Sequence, residues 1–89
     1  MENQIETELI NRLSKIERFF TLILDKHMFP SDKDDMMDIV SEAKNYRFHL
    51  EQNQKYMKIN IEVMTETITQ IEQVMIQMVK DNKKLFDRI

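Results

Sequence analysis

The chain has 89 residues, of which 42% are hydrophobic and 33% charged, with no Gly, no Cys, a single Pro and a formal net charge of −3. This length allows one small domain, residues 1–89. Without Gly, hairpin turns and phosphate-binding loops lack their usual positive-φ residue, and without Cys there are no disulfides, thiolate metal sites or cysteine nucleophiles. The composition therefore favours an all-α protein.

The charges are evenly interspersed. Residues 1–30, 31–60 and 61–89 each carry one more acid than base, so the chain lacks the basic stripe that is typical of nucleic-acid binding. The N-terminal MENQIETEL is acidic and polar, unlike a signal peptide, and no apolar stretch is long enough to cross a membrane. We predict a soluble, cytoplasmic protein with no membrane partner, and the charge pattern disfavours a nucleic-acid partner.

The first predicted element is an amphipathic helix over about residues 3–27. Its apolar positions recur at alternating steps of four and three: Leu9, Leu13, Ile16, Phe20 and Ile23. Such spacing places them on one helix face. A hinge at residues 28–31 follows, because it contains Pro30, and Ser31 is positioned to cap the next helix. The aspartates after it are expected to complement the helix dipole. They lack the Gly and distant Glu of a calcium loop, so no metal is predicted.

The second predicted element is one long helix over about residues 32–87, roughly 80 Å in length. It carries an unbroken heptad pattern in which thirteen of sixteen a and d positions are apolar. The a positions are Val40, Arg47, Gln54, Ile61, Ile68, Met75, Asn82 and Ile89, and the d positions are Met36, Ala43, Leu50, Met57, Met64, Ile71, Met78 and Leu85. A helix of that length cannot bury its seam within 89 residues, so the pattern predicts a coiled-coil or helix-bundle homo-oligomer.

The width of the apolar stripe predicts the arrangement of that oligomer. The stripe is wide near Met37 and Tyr46, narrow over positions 51–72, and wide again near Val74 and Phe86. A hairpin formed by the first helix and the long helix explains only the first wide end. An antiparallel homodimer, with a three-helix bundle at each end, explains both. A parallel coil and a tetramer remain as alternatives.

The expected site residues are interface residues. The predicted self-association interface comprises Met57, Ile61, Met64, Ile68, Ile71, Met75, Met78 and Leu85. Polar residues in an a/d seam can fix register, and three are expected to do so: Arg47, Gln54 and Asn82. A second apolar line predicts a further interface: Phe48, Tyr56, Ile59 and Val63. The four Met at d positions also suit an adaptable groove for a target helix.

No residue pattern indicates catalysis. His27 and His49 have no partner at metal-ligand spacing. Arg47 and Gln54 share a face that Arg12 or Glu6 could approach, an arrangement that suits either a small anion pocket or an ion-paired bundle. We therefore predict no catalytic residue, no cofactor site and no metal site.

The predicted function is that of a non-enzymatic protein–protein interaction module. We expect a small self-associating helical adaptor, regulator or inhibitor that binds its own copies and another protein. Its Ile-, Lys- and Asn-rich composition indicates a low-GC bacterium or its phage or plasmid. The alternatives are a structural or scaffolding assembly protein and, using the basic C-terminal residues, a nucleic-acid-binding regulator.

Overall fold

The computed structural model describes residues 2–52 and 61–88, and within these ranges the chain is helical without strands. The elements in chain order are α1 (Glu2–Asp25), a 3₁₀ turn (Pro30–Asp32), α2 (Lys33–Glu51), α3 (Ile61–Asp81) and α4 (Lys83–Phe86). The predicted all-α class is confirmed.

The helices form an up-down-up bundle with α1 at its centre. α2 runs back along α1, so that Arg47 in α2 reaches Glu17 in α1. α3 runs parallel to α1, since Arg12 reaches Glu72 and Phe19 reaches Phe86. The bundle measures 42 × 21 × 18 Å.

The core is a stripe of apolar residues from all three long helices. The buried members are Leu9, Leu13, Ile16, Phe20 and Ile23 of α1, Met36, Ala43 and Leu50 of α2, and Met64 and Ile68 of α3. The α1 members are the five residues whose spacing predicted the amphipathic helix. Those of α2 and α3 all lie in the predicted heptad seam, so the periodicity identified the buried face of each helix.

The end of α1 is set by the backbone of His27. This residue has φ = 52°, the left-handed conformation that Gly usually supplies at a helix C-terminus. The Met28 amide donates to the Ile23 carbonyl at 3.2 Å and the His27 amide donates to the Leu24 carbonyl at 3.2 Å. These two hydrogen bonds form a Schellman motif, so α1 ends near residue 25, within two residues of the predicted end.

The connection between α1 and α2 lies at the predicted hinge, residues 28–31, but Ser31 is not the N-cap of α2. Pro30 begins the 3₁₀ turn, where its missing N–H is not needed, and Asp32 occupies the N-cap position of α2. Neither Phe29 before the turn nor Asp32 makes a side-chain capping hydrogen bond. Ser31 lies inside the 3₁₀ turn and so does not cap α2 as predicted.

The prediction of one continuous helix over residues 32–87 is wrong. α2 ends at Glu51, with Gln52 as its C-cap, and a non-helical Asn82 separates α3 from α4. The longest dimension of 42 Å is about half of what a straight helix of that length requires. Both α2 and α3 also pack on the same helix, α1, which two halves of a straight rod cannot do.

The fold also changes the reason for expecting a homo-oligomer. Three-helix packing was predicted with the third helix supplied by a second copy, whereas here α3 of the same chain packs against α1. The seam residues Met64 and Ile68 are therefore buried within one chain. A partner is no longer needed to cover them, and self-association stays a prediction that needs other support.

Candidate functional site

An apolar groove lies between the first half of α2 and the second half of α3. We call it the α2–α3 groove. It encloses about 430 Å³, and its apolar lining residues are Phe20, Phe29, Met36, Ile39, Val74 and Met78. Phe20 and Met36 are buried beneath it, while Val74 at its edge is 48% exposed. The groove thus presents an apolar surface that the described part of the chain does not cover.

The groove is open because α3 rests on α1 and has few close backbone contacts with α2. Farther along the two helices they approach each other, where Thr67 lies beside the Tyr46 hydroxyl. At the other end Phe86 faces Phe29, with ring centroids 6.4 Å apart, and stacks on Phe19 at 5.6 Å. These aromatic contacts fasten the end of α3 and α4 to α1 and leave the space beside α2 unfilled.

The rim of the groove is acidic. Asp32 and Asp35 line it from the start of α2 and Asp81 lines it from the end of α3, together with Gln77 and Asn82. No Lys or Arg is among the described residues that line it. Carboxylates on both walls give the opening a negative potential, which favours a ligand carrying positive charge.

Asp81 occupies a position where a carboxylate is unfavourable for helix stability. It is the last residue of α3, and the negative end of the helix dipole disfavours an acid there by about 0.3–1 kcal/mol. The Gln77 amide donates to its Oδ1 at 2.8 Å, so the two side chains are held together on the rim.

A bidentate ion pair joins α1 to α3. Arg12 Nε donates to Glu72 Oε2 at 3.0 Å, and Nη2 donates to Glu72 Oε1 and, at 3.2 Å, to Thr69 Oγ1. The hydrogen bond to Glu72 raises the pKa of the Arg12 guanidinium above its ordinary value. Arg12 is therefore engaged with α3 and does not join Arg47 in an anion pocket.

Of the three predicted register-setting residues, Arg47 and Asn82 can be located. Arg47 Nη1 lies 3.1 Å from Oε2 of the buried Glu17 and its Nε lies 3.8 Å from Glu51. The Glu17 contact has ion-pair distance but not hydrogen-bond geometry, since that oxygen has no hydrogen-bond partner among the described residues. Asn82 Nδ2 donates to the Met78 carbonyl at 3.0 Å. Gln54 lies outside the described residues.

The predicted interface residues divide by burial. Met64 and Ile68 are fully buried in the chain's own core. Five others are half-buried, namely Ile61, Ile71, Met75, Met78 and Leu85. Met78 lines the groove, and Met57 lies outside the described residues. Contact of these residues with a second copy stays a prediction.

Exposed apolar residues also occur away from the groove. In the predicted second line Phe48 is 54% exposed and Val63 is 58% exposed, while Tyr56 and Ile59 lie outside the described residues. On α3, Ile76 is 55% exposed and Val79 is 38% exposed. The apolar stripe was predicted to be wide near the C-terminal end of the chain. There Phe86 is half-buried, whereas Val74, Ile76 and Val79 are exposed.

Within the described ranges no group of three or more His, Cys, Asp or Glu side chains is arranged to hold a metal ion. None of the helices seen there combines the length and the apolarity needed to cross a membrane. Comparison with protein-family models, with curated proteins and with solved structures finds no match to this chain.

Sequence reasoning missed the groove because its two walls are far apart in the chain. Asp32 and Asp35 precede Asp81 by more than forty residues, and only the antiparallel packing of α2 and α3 brings them together. One signal was present, since Val74 widens the apolar stripe beyond the seam. The extra apolar residue indicated that part of the helix surface needs a partner, but not whether that surface faces α2 or the opposite side of α3.

Proposed function

We propose that this chain is a non-enzymatic protein–protein interaction module that self-associates, and that the α2–α3 groove receives an amphipathic helix. The observation that supports the proposal is the groove itself, an apolar surface between two helices that the described residues leave uncovered, with carboxylates on both walls. A helix laid between two others buries its apolar stripe as a core helix does.

The lining residues define the kind of helix that suits the groove. Met36, Ile39, Val74 and Met78 provide an apolar floor and edge, and two of these are Met, whose flexible side chains adapt to different partners. The aspartates on the rim select Lys or Arg beside the apolar stripe. Such rim pairs contribute more to orientation and association rate than to affinity.

The arrangement predicted from the sequence, an antiparallel homodimer, is one way for two copies to bury the groove. The sequence predicted this dimer because the heptad seam was too long to be covered within one chain. That argument no longer applies, and the apolar groove that the described residues leave open now supports self-association. Roles as a regulator or inhibitor of another protein, a cytoplasmic location and a phage or plasmid source stay predictions from composition and pattern.

Methionine methyl groups can report whether a second copy of the chain binds in the α2–α3 groove. Met36 and Met78 line the groove, whereas Met64 is buried in the core beside α1. In protein labelled with ¹³C at the Met methyls, NMR spectra recorded at rising concentration should show shifts for Met36 and Met78 and constant positions for Met64. Sedimentation velocity on the same samples should show a mass above that of one chain.

Val74→Glu is the variant that should abolish both effects, because it places a carboxylate in the apolar edge of an already acidic groove. Gln73→Glu is its matched control, since it adds the same charge at the neighbouring exposed position. A chain that stays monomeric at every concentration, with no shift at Met36 or Met78, would contradict self-association.

A further inference from the structure

A second exposed surface lies on the other side of α3. We call it the α3 outer patch. It is a shallow depression of about 300 Å³ lined by Phe19, Met75, Ile76, Val79 and Lys80. Lys83 and Lys84 follow it in α4 and are exposed. This surface is therefore apolar with positive charge beside it.

The patch and the groove lie on nearly opposite faces of α3. The groove takes positions 74, 77, 78 and 81, whereas exposed positions 76, 79 and 80 line the patch. At 3.6 residues per turn the centres of these two sets are about 160° apart around the helix. A patch cannot reach the groove of its own chain, because the body of α3 stands between them.

The two surfaces are both apolar and are opposite in charge. Among the described residues, the groove has an apolar floor with three carboxylates and no basic lining residue, and the patch has apolar residues with Lys80. Lys83 follows in α4, beyond the break at Asn82. Within α3, Ile76, Val79 and Lys80 follow the i, i+3, i+4 spacing of a helix that docks in a groove. The residues of α3 that line the patch precede the α3–α4 break at Asn82, so the patch lies near the C-terminal end of α3.

We propose that a second copy of this chain docks its α3 outer patch in the α2–α3 groove. This inference rests on the proposed function and identifies the helix that the groove receives. Docking places Ile76 and Val79 over Met36, Ile39 and Val74, with the lysines against the aspartates. The contact uses different surfaces on the two copies, so each added copy leaves one groove and one patch free.

Such head-to-tail contacts either close into a ring or continue as an open assembly. The antiparallel dimer predicted from the sequence has two-fold symmetry and stops at two copies. The head-to-tail contact instead predicts species larger than a dimer, either a closed ring or an open assembly whose mass continues to rise with concentration. That behaviour is the property expected of the scaffolding alternative.

A mixing experiment tests the contact directly. Val74→Glu disables the groove and keeps the patch, whereas Ile76→Glu disables the patch and keeps the groove. Both positions are about half exposed, so each variant is expected to keep wild-type helicity, which circular dichroism checks. In sedimentation velocity, each variant alone should be monomeric at concentrations where wild type and the Gln73→Glu control associate. Their equimolar mixture should form a 1:1 dimer that does not grow.

Charge reversal provides a second route that leaves the apolar contacts intact. Asp35→Lys and Lys80→Glu should each weaken association at least tenfold at low salt, because each places like charges across the contact. The chain carrying both substitutions should recover association, since opposite charges face each other again. Lys44→Glu, a reversal at an exposed position of α2 outside the groove and the patch, is the control and should have little effect.

Three results would overturn the inference. A mixture that stays monomeric while wild type associates shows that groove and patch do not meet, and leaves self-association standing. Wild-type association unchanged by either apolar variant places the contact elsewhere on the surface. A wild-type chain that is monomeric throughout overturns both this inference and the proposed self-association.

Discussion

Arg12 on α1 donates two hydrogen bonds to the carboxylate of Glu72 on α3, although the two residues are 60 positions apart in the chain. Both side chains are partly buried at the boundary of the core. The fork of the guanidinium fixes the height and rotation of α3 relative to α1. It therefore helps to determine which face of α3 points toward the groove.

Removing this pair should loosen α3. We expect Arg12→Ala to lower the free energy of unfolding by about 1 kcal/mol, because the pair is bidentate but partly exposed to solvent. Urea unfolding of Arg12→Ala, Glu72→Ala and the double variant would give the coupling energy between the two residues. Arg18→Ala, an exposed arginine on the same helix, should change stability little. A coupling energy near zero would contradict a role in fixing α3.

Arg47 should stabilise the fold by placing a positive charge beside the buried carboxylate of Glu17. Arg47→Ala leaves Glu17 buried and without its neighbouring positive charge, so we expect a loss of about 1–3 kcal/mol in unfolding free energy. Adding Glu17→Gln to that variant should restore part of the loss, because the buried charge is then removed. Thermal and urea unfolding measure both effects, and equal stability of the single and double variants would argue against this explanation.

The aromatic stack of Phe19 and Phe86 should hold the C-terminal end of the bundle. The rings lie nearly parallel, with 9° between their planes and 5.6 Å between their centroids. We expect Phe86→Ala to cost about 2–3 kcal/mol through lost burial and stacking. Phe48→Ala removes the same atoms from an exposed site and should cost under about 0.5 kcal/mol. Similar losses of unfolding free energy for both variants would show that Phe86 does not hold the C-terminal end of the bundle against α1.

The left-handed backbone of His27 predicts a stabilising substitution. Because His27 has φ = 52° and Gly adopts this conformation without a Cβ clash, His27→Gly should raise the free energy of unfolding by about 0.5–1 kcal/mol. His27→Val should lower it, since a β-branched side chain is disfavoured at positive φ. Guanidinium unfolding would rank the three chains, and any order other than Gly, His, Val would contradict the proposed helix end.

Tyr46 should make stability depend on alkaline pH. Burial first, and then the 2.8 Å hydrogen bond to Glu42, raise the pKa of its hydroxyl above the ordinary value of 10.0. The folded state therefore favours the protonated form, so its contribution is fully present below about pH 10 and is lost as pH rises further. Ultraviolet titration of a Tyr56→Phe chain, whose only remaining tyrosine is Tyr46, should give a pKa above 10. Tyr46→Phe should remove this part of the pH dependence.

The sequence predicted the helices more accurately than their arrangement. Apolar spacing located α1 to within two residues at each end, and Pro30 located the connection to α2. The position of His27 in the left-handed region had no sequence signal, because the usual indicator is Gly and this chain has none. Ser31 was predicted as a cap from its residue type, but the 3₁₀ turn begins one residue earlier at Pro30 and moves the N-cap position to Asp32.

The long helix failed as a prediction for a physical reason. A heptad seam such as Met36, Ala43, Leu50, Met64 and Ile68 states which side of a helix is buried, and all five residues are buried here. Hydrophobic burial is non-directional, so the seam is equally satisfied by a second chain or by α1 of the same chain. Local periodicity is identical in both cases.

The sequence by itself determined the class of the protein, the face that each helix buries and the site of its first turn, since these follow from side-chain spacing and backbone preferences. Only the tertiary structure decided that α3 packs beside α1, which acids meet on the rim of the groove, and which apolar residues remain uncovered. These properties depend on contacts between residues far apart in the chain. Arg12 and Glu72 show this most directly, because nothing near either residue in the sequence indicates the other.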